Sequence, residues 1–167
     1  MVKVGIIGCG KIAQVRHIPE YLDNPNAKLT GLYDLNLQRA KDLAEKYDCK
    51  FYESIEDMLA DPEIDAVSVC AANHVHAEIT TAALKAGKHV LCEKPMATKL
   101  KDCQMMVDTA EQMGKKLMIG QNQRFAKAHA EAKKLIERGD IGSVLTFKTT
   151  FGHGGPETWS VDAGPQN

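Results

Sequence analysis

The chain has 167 residues, 44% of them hydrophobic and 26% charged, enough to bury one core and begin a second. Its 21 basic and 22 acidic residues leave a net charge of -1, so no electrostatic footprint marks it for nucleic acid or an anionic membrane. The apolar start at residues 1–8 is too short to span a bilayer and no small-residue cleavage site follows it, which makes the cytoplasm the expected compartment.

Apolar runs of strand length alternate with longer stretches of helical period, the pattern of βαβ units on a parallel sheet. Residues 2–7 read as a first strand whose near-continuous apolar character suits burial on both faces. A helix is predicted over 10–22 and a second strand over 28–33. The next helix, 36–47, is capped by Asn36 and carries Leu37, Ala40, Leu43 and Ala44 on one face. A short strand at 50–52 leads to Ser54, which opens a brief helix that Asp61-Pro62 ends. Strands at 65–70, 88–92 and 116–119 are separated by helices at 75–86, stopped by Gly87, and 98–113, stopped by Gly114.

The fold class is therefore α/β, a doubly wound Rossmann-type parallel sheet over residues 1–120. Beyond Gly120 the pattern changes. A helix over 127–138 precedes residues 143–151, whose alternating side chains read as the first strand of a different sheet. Residues 121–167 are expected to be the incomplete beginning of an α+β substrate or oligomerisation domain. An apolar edge strand left without its sheet predicts a homodimer or higher homo-oligomer, or an exchanged strand. The five cysteines (Cys9, Cys49, Cys70, Cys92 and Cys103) are odd in number and lack a C-x2-C spacing, so they read as reduced thiols and no metal site is expected.

Gly8-Cys9-Gly10-Lys11-Ile12-Ala13 is G-x-G-x-x-A between a predicted strand and a predicted helix, the setting a dinucleotide fingerprint requires. Gly8 permits a tight turn and Gly10 lets backbone approach a pyrophosphate. The small Ala13 lets the helix pack close to the strand, and the first-turn N–H groups, including those of Lys11 and Ile12, face the phosphates. Asp34, at the end of the second strand, stands where a carboxylate accepts the adenosine ribose hydroxyls. Its charge opposes a 2'-phosphate and favours NAD over NADP, with Arg39 the residue that argues the other way. The alternative role for Asp34 is a plain helix cap.

A third group, Cys92-Glu93-Lys94-Pro95, follows the fifth strand, on the side of a doubly wound sheet where ligands sit. There the Lys94 ammonium can polarise a hydroxyl or carbonyl oxygen or pass a proton, and Glu93 can pair with Lys94 or with a ribose hydroxyl. A solvated turn explains the tripeptide equally well.

These blocks, with Asn73-x-x-His76, Ala86-Gly-Lys-His-Val-Leu-Cys-Glu-Lys-Pro95 and Arg124-Phe125 in order, resemble the Gfo/Idh/MocA oxidoreductase family. The resemblance implies that Lys94 lies near the nicotinamide and substrate, and that the Ala71–His76 loop lines the cofactor through Asn73 and His76. For His76, a helix-start residue that satisfies local backbone remains open. Asn122 and Arg124, in the crossing out of the Rossmann domain, are implied to line the substrate. The implied substrate is a sugar, polyol or related hydroxy compound. Family members also carry a largely antiparallel sheet whose Asp and His complete the catalytic group. Here only Trp159-Ser-Val-Asp162 approaches that segment, and neither Asp162 nor His153 is assigned the missing roles. Two further readings stay open: a cofactor-binding module without turnover, and a redox-sensing interaction protein.

Overall fold

The computed structural model describes residues 1–150 and Gly152. Residues 1–120 form one compact unit and the described residues from Gln121 onward belong to another. His153, Trp159 and Asp162 lie outside the described residues.

The first unit is a six-stranded sheet in which every pairing is parallel. In chain order its elements are β1 (Val2–Ile7), α1 (Ile18–Asp23), β2 (Ala27–Tyr33), α2 (Leu37–Lys46), β3 (Lys50–Phe51) and α3 (Ile55–Ala60). They continue with β4 (Ala66–Val69), α4 (His76–Lys85), β5 (His89–Cys92), α5 (Leu100–Gln112) and β6 (Leu117–Ile119). The strand order is β3-β2-β1-β4-β5-β6, so the chain leaves β1 toward one edge and returns beside it as β4. That reversal is the topological switch point at which doubly wound sheets bind ligands.

Successive side chains of a strand point to opposite faces, and β1 shows why its sequence is apolar throughout. Ile6 joins Ile18, Leu29, Leu32, Ala40 and Leu43 on the face covered by α1 and α2. Ile7 joins Met58, Val67, Ile79, Leu84 and Met106 on the face covered by α3, α4 and α5. Caps follow the residue chemistry: the Asn36 side chain accepts the Arg39 N–H at 3.1 Å and the Ser54 hydroxyl accepts that of Asp57 at 3.0 Å.

Two sequence expectations need correction. The helix after the Gly-rich loop is not uniformly α: residues 13–17 wind as a π-helical turn, Ala13–His17, before α1 begins. Such turns occur often at functional sites, and this one places both Ala13 and His17 in the interior.

The second correction concerns the strand expected over 143–151. In the second unit a 3-10 turn (Asn122–Phe125) leads into α6 (Lys127–Glu137), but residues 143–150 form no strand, and Phe151 is outside the described residues. An alternating pattern becomes a strand only when a neighbour takes up its backbone donors and acceptors, and no described residue does so. Leu145 and Phe147 are left 93% and 81% exposed.

A candidate dinucleotide crevice and the turn beside it

The loop leaving β1 is fixed from several sides. Gly8 has φ of 96°, and its N–H donates to the Tyr33 carbonyl at 2.8 Å. A Cβ at Gly8 would stand 2.7 Å from the backbone of Cys70 and Ala71, so only glycine lets the loop pass the end of β4. The Cys9 N–H donates to Asp34 Oδ2 at 2.6 Å, and the Gln14 side-chain amide donates to the Cys9 carbonyl at 2.8 Å. Burial, reinforced by the Asp34 charge, pushes the Cys9 thiol up to about 12, so it is a neutral packing group.

The residues present fit a dinucleotide. A Cβ at Gly10 would meet nothing within 4 Å, which leaves open space over the loop where a pyrophosphate can approach. Helical backbone begins at Lys11, which is exposed, and Ile12, which is half-buried, so first-turn N–H groups point toward that space.

Asp34 is only 7% exposed, and both of its oxygens are engaged. Oδ2 holds the Cys9 N–H, while Oδ1 accepts the Asn36 N–H at 2.8 Å and lies 3.4 Å from Arg39 Nη1. One carboxylate thus ties the Gly-rich loop to the end of β2. Beside it an open cleft of about 350 Å3 is lined by Gln14, Asn36, Gln38, Arg39, Asp42 and Leu43. Of these, only Arg39 bears on cofactor choice by its sequence position.

The turn after β5 lies across the switch point, since β4 pairs with both β1 and β5. Glu93 accepts a hydrogen bond from His17 Nε2 at 3.0 Å on Oε1 and from the Lys94 N–H at 3.0 Å on Oε2. Burial alone would raise the Glu93 carboxyl, but the His17 and Lys94 N–H bonds outweigh it and hold the group below the ordinary carboxylate value. A Cβ at Gly120 would press on this carboxylate at 3.3 Å, so the glycine that follows β6 makes room for it. Glu93 therefore pairs with His17 and with the backbone of Lys94. The Lys94 side chain is exposed, and the Lys94–Pro95 peptide bond is cis.

His76 is 1% exposed. Its Nδ1 lies 2.8 Å from the Pro95 carbonyl oxygen and its Nε2 lies 3.0 Å from that of Ala71. Both ring nitrogens are turned to backbone, so the ring joins the loop after β4 to the turn after β5. Asn73 is exposed in the intervening 3-10 turn, Asn73–Val75. Asn122 and Arg124 are exposed in the second unit, where the Arg124 guanidinium lies 6.0 Å from the centre of the Phe125 ring.

The sequence gives no sign of the role of His17, and it marks Gly120 only as a boundary and Lys88 only as part of the Ala86–Pro95 block. Lys88 is buried, and its ammonium donates to the Asp61 and Ile64 carbonyls at 2.7 and 2.8 Å. It fastens the loop between α3 and β4. Among the described residues no group of three His, Cys, Asp or Glu could hold a metal ion, and no helix is long and apolar enough to cross a membrane.

The sequence profile of an oxidoreductase family with an NAD-binding Rossmann fold, Gfo/Idh/MocA, matches residues 2–121. The glucose-6-phosphate 3-dehydrogenase of Bacillus subtilis is 36% identical over 151 residues, which cover 90% of this chain and 42% of that protein. The myo-inositol 2-dehydrogenase of Thermotoga maritima is 32% identical over 149 residues, 89% of this chain and 44% of that one. A solved 3-ketoreductase from Actinomadura kijaniata, in complex with NADP and TDP-benzene, superposes with a TM-score of 0.77 at 30% identity. That match covers 83% of this chain and 42% of the ketoreductase, so the chain spans less than half the length of each of these relatives. With its parallel sheet, its fingerprint loop and a matching profile over residues 2–121, the chain belongs to the Gfo/Idh/MocA oxidoreductase family.

Proposed function

We propose that the protein is an NAD-linked oxidoreductase that interconverts an alcohol and a carbonyl on a sugar, polyol or related hydroxy compound. The observation that carries this reading is the exposed Lys94 side chain on a braced turn, across the switch point from the fingerprint loop. The sugar and cyclitol dehydrogenases among its relatives support the substrate class.

Gly8 and Gly10 shape a loop that accepts a pyrophosphate, and the first-turn N–H groups meet its charge. With three donors on its four acceptor positions, Asp34 has one left for a ribose hydroxyl, and its negative charge opposes a 2'-phosphate, which supports NAD over NADP. Arg39, held 3.4 Å from Asp34, offsets part of that charge. When bound, the nicotinamide supplies the hydride donor or acceptor. Oxidation of an alcohol also releases the hydroxyl proton, and Lys94 is the group placed to take or relay it. In the reverse direction its ammonium donates a hydrogen bond to the carbonyl oxygen and polarises it.

The span of 42% of the Bacillus relative favours a second reading, in which these 167 residues bind cofactor without turnover. Both readings require nicotinamide nucleotide binding, and only the first requires turnover. Calorimetric titration is expected to show NAD(H) binding about tenfold or more tighter than NADP(H), a difference of about 1.4 kcal/mol. Absence of binding by either nucleotide overturns both readings, and tighter NADP(H) binding overturns the role given to Asp34.

A further inference from the structure

Lys94 is flanked by two residues that are each held by a buried histidine from a different element. On one side, His17 closes the π-helical turn behind the fingerprint loop and reaches the Glu93 carboxylate at 3.0 Å. On the other, His76 opens α4 and reaches the Pro95 carbonyl at 2.8 Å. Neither contact is local: 76 residues separate His17 from Glu93, and 19 separate His76 from Pro95. The two histidines are 8% and 1% exposed, so both contacts are shielded from competing water.

We propose that His17 and His76 are positioning residues that bracket Lys94 and hold its ammonium at the cofactor crevice. The proposal rests on the catalytic reading of Lys94 given above. His17 also couples that turn to the fingerprint loop, because the same helical segment that starts under Gly10 ends its π-helical turn on His17. His76 brings it beside the loop after β4, since its Nε2 lies 3.0 Å from the Ala71 carbonyl; the ring donates to the Pro95 carbonyl when Nδ1 carries the proton, and to both only when both nitrogens do. Three loops at the carboxyl ends of β1, β4 and β5 thereby meet at two imidazoles. A misplacement of about 1 Å at a reacting group can cost about a hundredfold in rate, which is the purpose such a bracket serves.

The ring nitrogens used differ, and this yields a test that a general packing role would not satisfy. An asparagine amide nitrogen falls near the place of Nδ1, and a glutamine amide nitrogen near that of Nε2. His17 uses Nε2 toward Glu93, whereas His76 uses Nδ1 toward Pro95. His17→Gln and His76→Asn therefore preserve the bracket, while His17→Asn and His76→Gln break it.

Hydrogen exchange of the Lys94 amide, followed by NMR on the 167-residue chain without cofactor, reads the turn directly. The bracket-preserving variants are expected to keep its rate within about threefold of the parent, and the bracket-breaking variants to raise it about tenfold or more. In a turnover assay, the breaking variants are expected to lower kcat about tenfold or more while KM stays within about threefold. If the Asn and Gln variants at His17 exchange at the same rate, the bracket is overturned. Should the more deeply buried His76 position not tolerate substitution, the His17 pair alone decides the matter. Lys94→Met separates the two claims: unaltered turnover in that variant overturns the catalytic reading, while the exchange pattern still decides whether the turn is bracketed.

Discussion

Asp34 does structural work before any ligand arrives. Its carboxylate holds the Cys9 N–H at 2.6 Å and the Asn36 N–H at 2.8 Å, so the residue proposed to meet a ribose also shapes the Gly-rich loop. Gly8 is equally constrained, by a φ of 96° and by backbone 2.7 Å from where a Cβ would stand. Gly8→Ala combines backbone strain with overpacking against groups that cannot rotate away. It is expected to cost roughly 3 kcal/mol in a urea denaturation experiment and to abolish measurable nucleotide binding. Gly8, Gly10 and Asp34 could be singled out in the sequence because the fingerprint depends on short spacings and on one strand-to-helix junction. His17 was not, because its partner Glu93 lies on the other half of the sheet and only the β1-β4-β5 adjacency brings the two together. His76 was visible as a motif residue, but the two carbonyls it faces were not.

Among the elements, the order of strands and helices in the first unit was readable from periodicity, since apolar runs and amphipathic stretches report burial directly. The π-helical turn was not, because its residues differ from ordinary helix formers in no local way. The strand expected at 143–151 failed over its described residues, 143–150, for a different reason: a period of two describes side chains and cannot supply the partner whose hydrogen bonds make a strand. The amino-terminal ends of β1 and β3 meet the α3–β4 loop through charge. Lys50 pairs with Asp61 at 2.7 Å and Glu63 at 2.6 Å, Lys3 pairs with Glu63 at 3.0 Å, and the Tyr52 hydroxyl donates to Asp61 at 2.7 Å. The Lys50 and Tyr52 bonds hold the Asp61 carboxyl far below the ordinary carboxylate range. A group whose folded pKa is depressed stabilises the fold above its unfolded pKa, and that stability drains away as acid protonates the unfolded chain first. Unfolding midpoints are therefore expected to be flat from neutral pH down to about 5 and to fall below about pH 4. Asp61→Asn is expected to lower the plateau and shrink that acid-dependent fall, as followed by thermal melts across pH. An acid limb as steep as the parent's would remove Asp61 from this account.

For the whole molecule, the switch point between β1 and β4 decides what can meet. It brings the fingerprint loop of one half beside the lysine turn of the other, although 84 residues of sequence separate Gly10 from Lys94. The second unit is less self-sufficient: α6 buries no residue, and Leu145 and Phe147 remain almost fully exposed. Apolar side chains displayed in this way favour association of chain with chain. Static light scattering is expected to show mass rising with concentration, and Leu145→Ser with Phe147→Ser to suppress the rise. A parent chain that stays at monomer mass at high concentration would set this aside.

The signature block from Ala86 to Pro95 has a further consequence. Lys88 is spent on two backbone carbonyls, His89 accepts the Lys116 N–H at 3.0 Å, Val90 and Cys92 fill the core, and Glu93 is taken by His17. Most of the block is thus masonry, and the role proposed for Lys94 rests on one exposed side chain within it. A descendant that exchanged Lys94 for another side chain would keep the rest of the block and the same sheet. The signature therefore reports the sheet and its joints, and says little by itself about turnover.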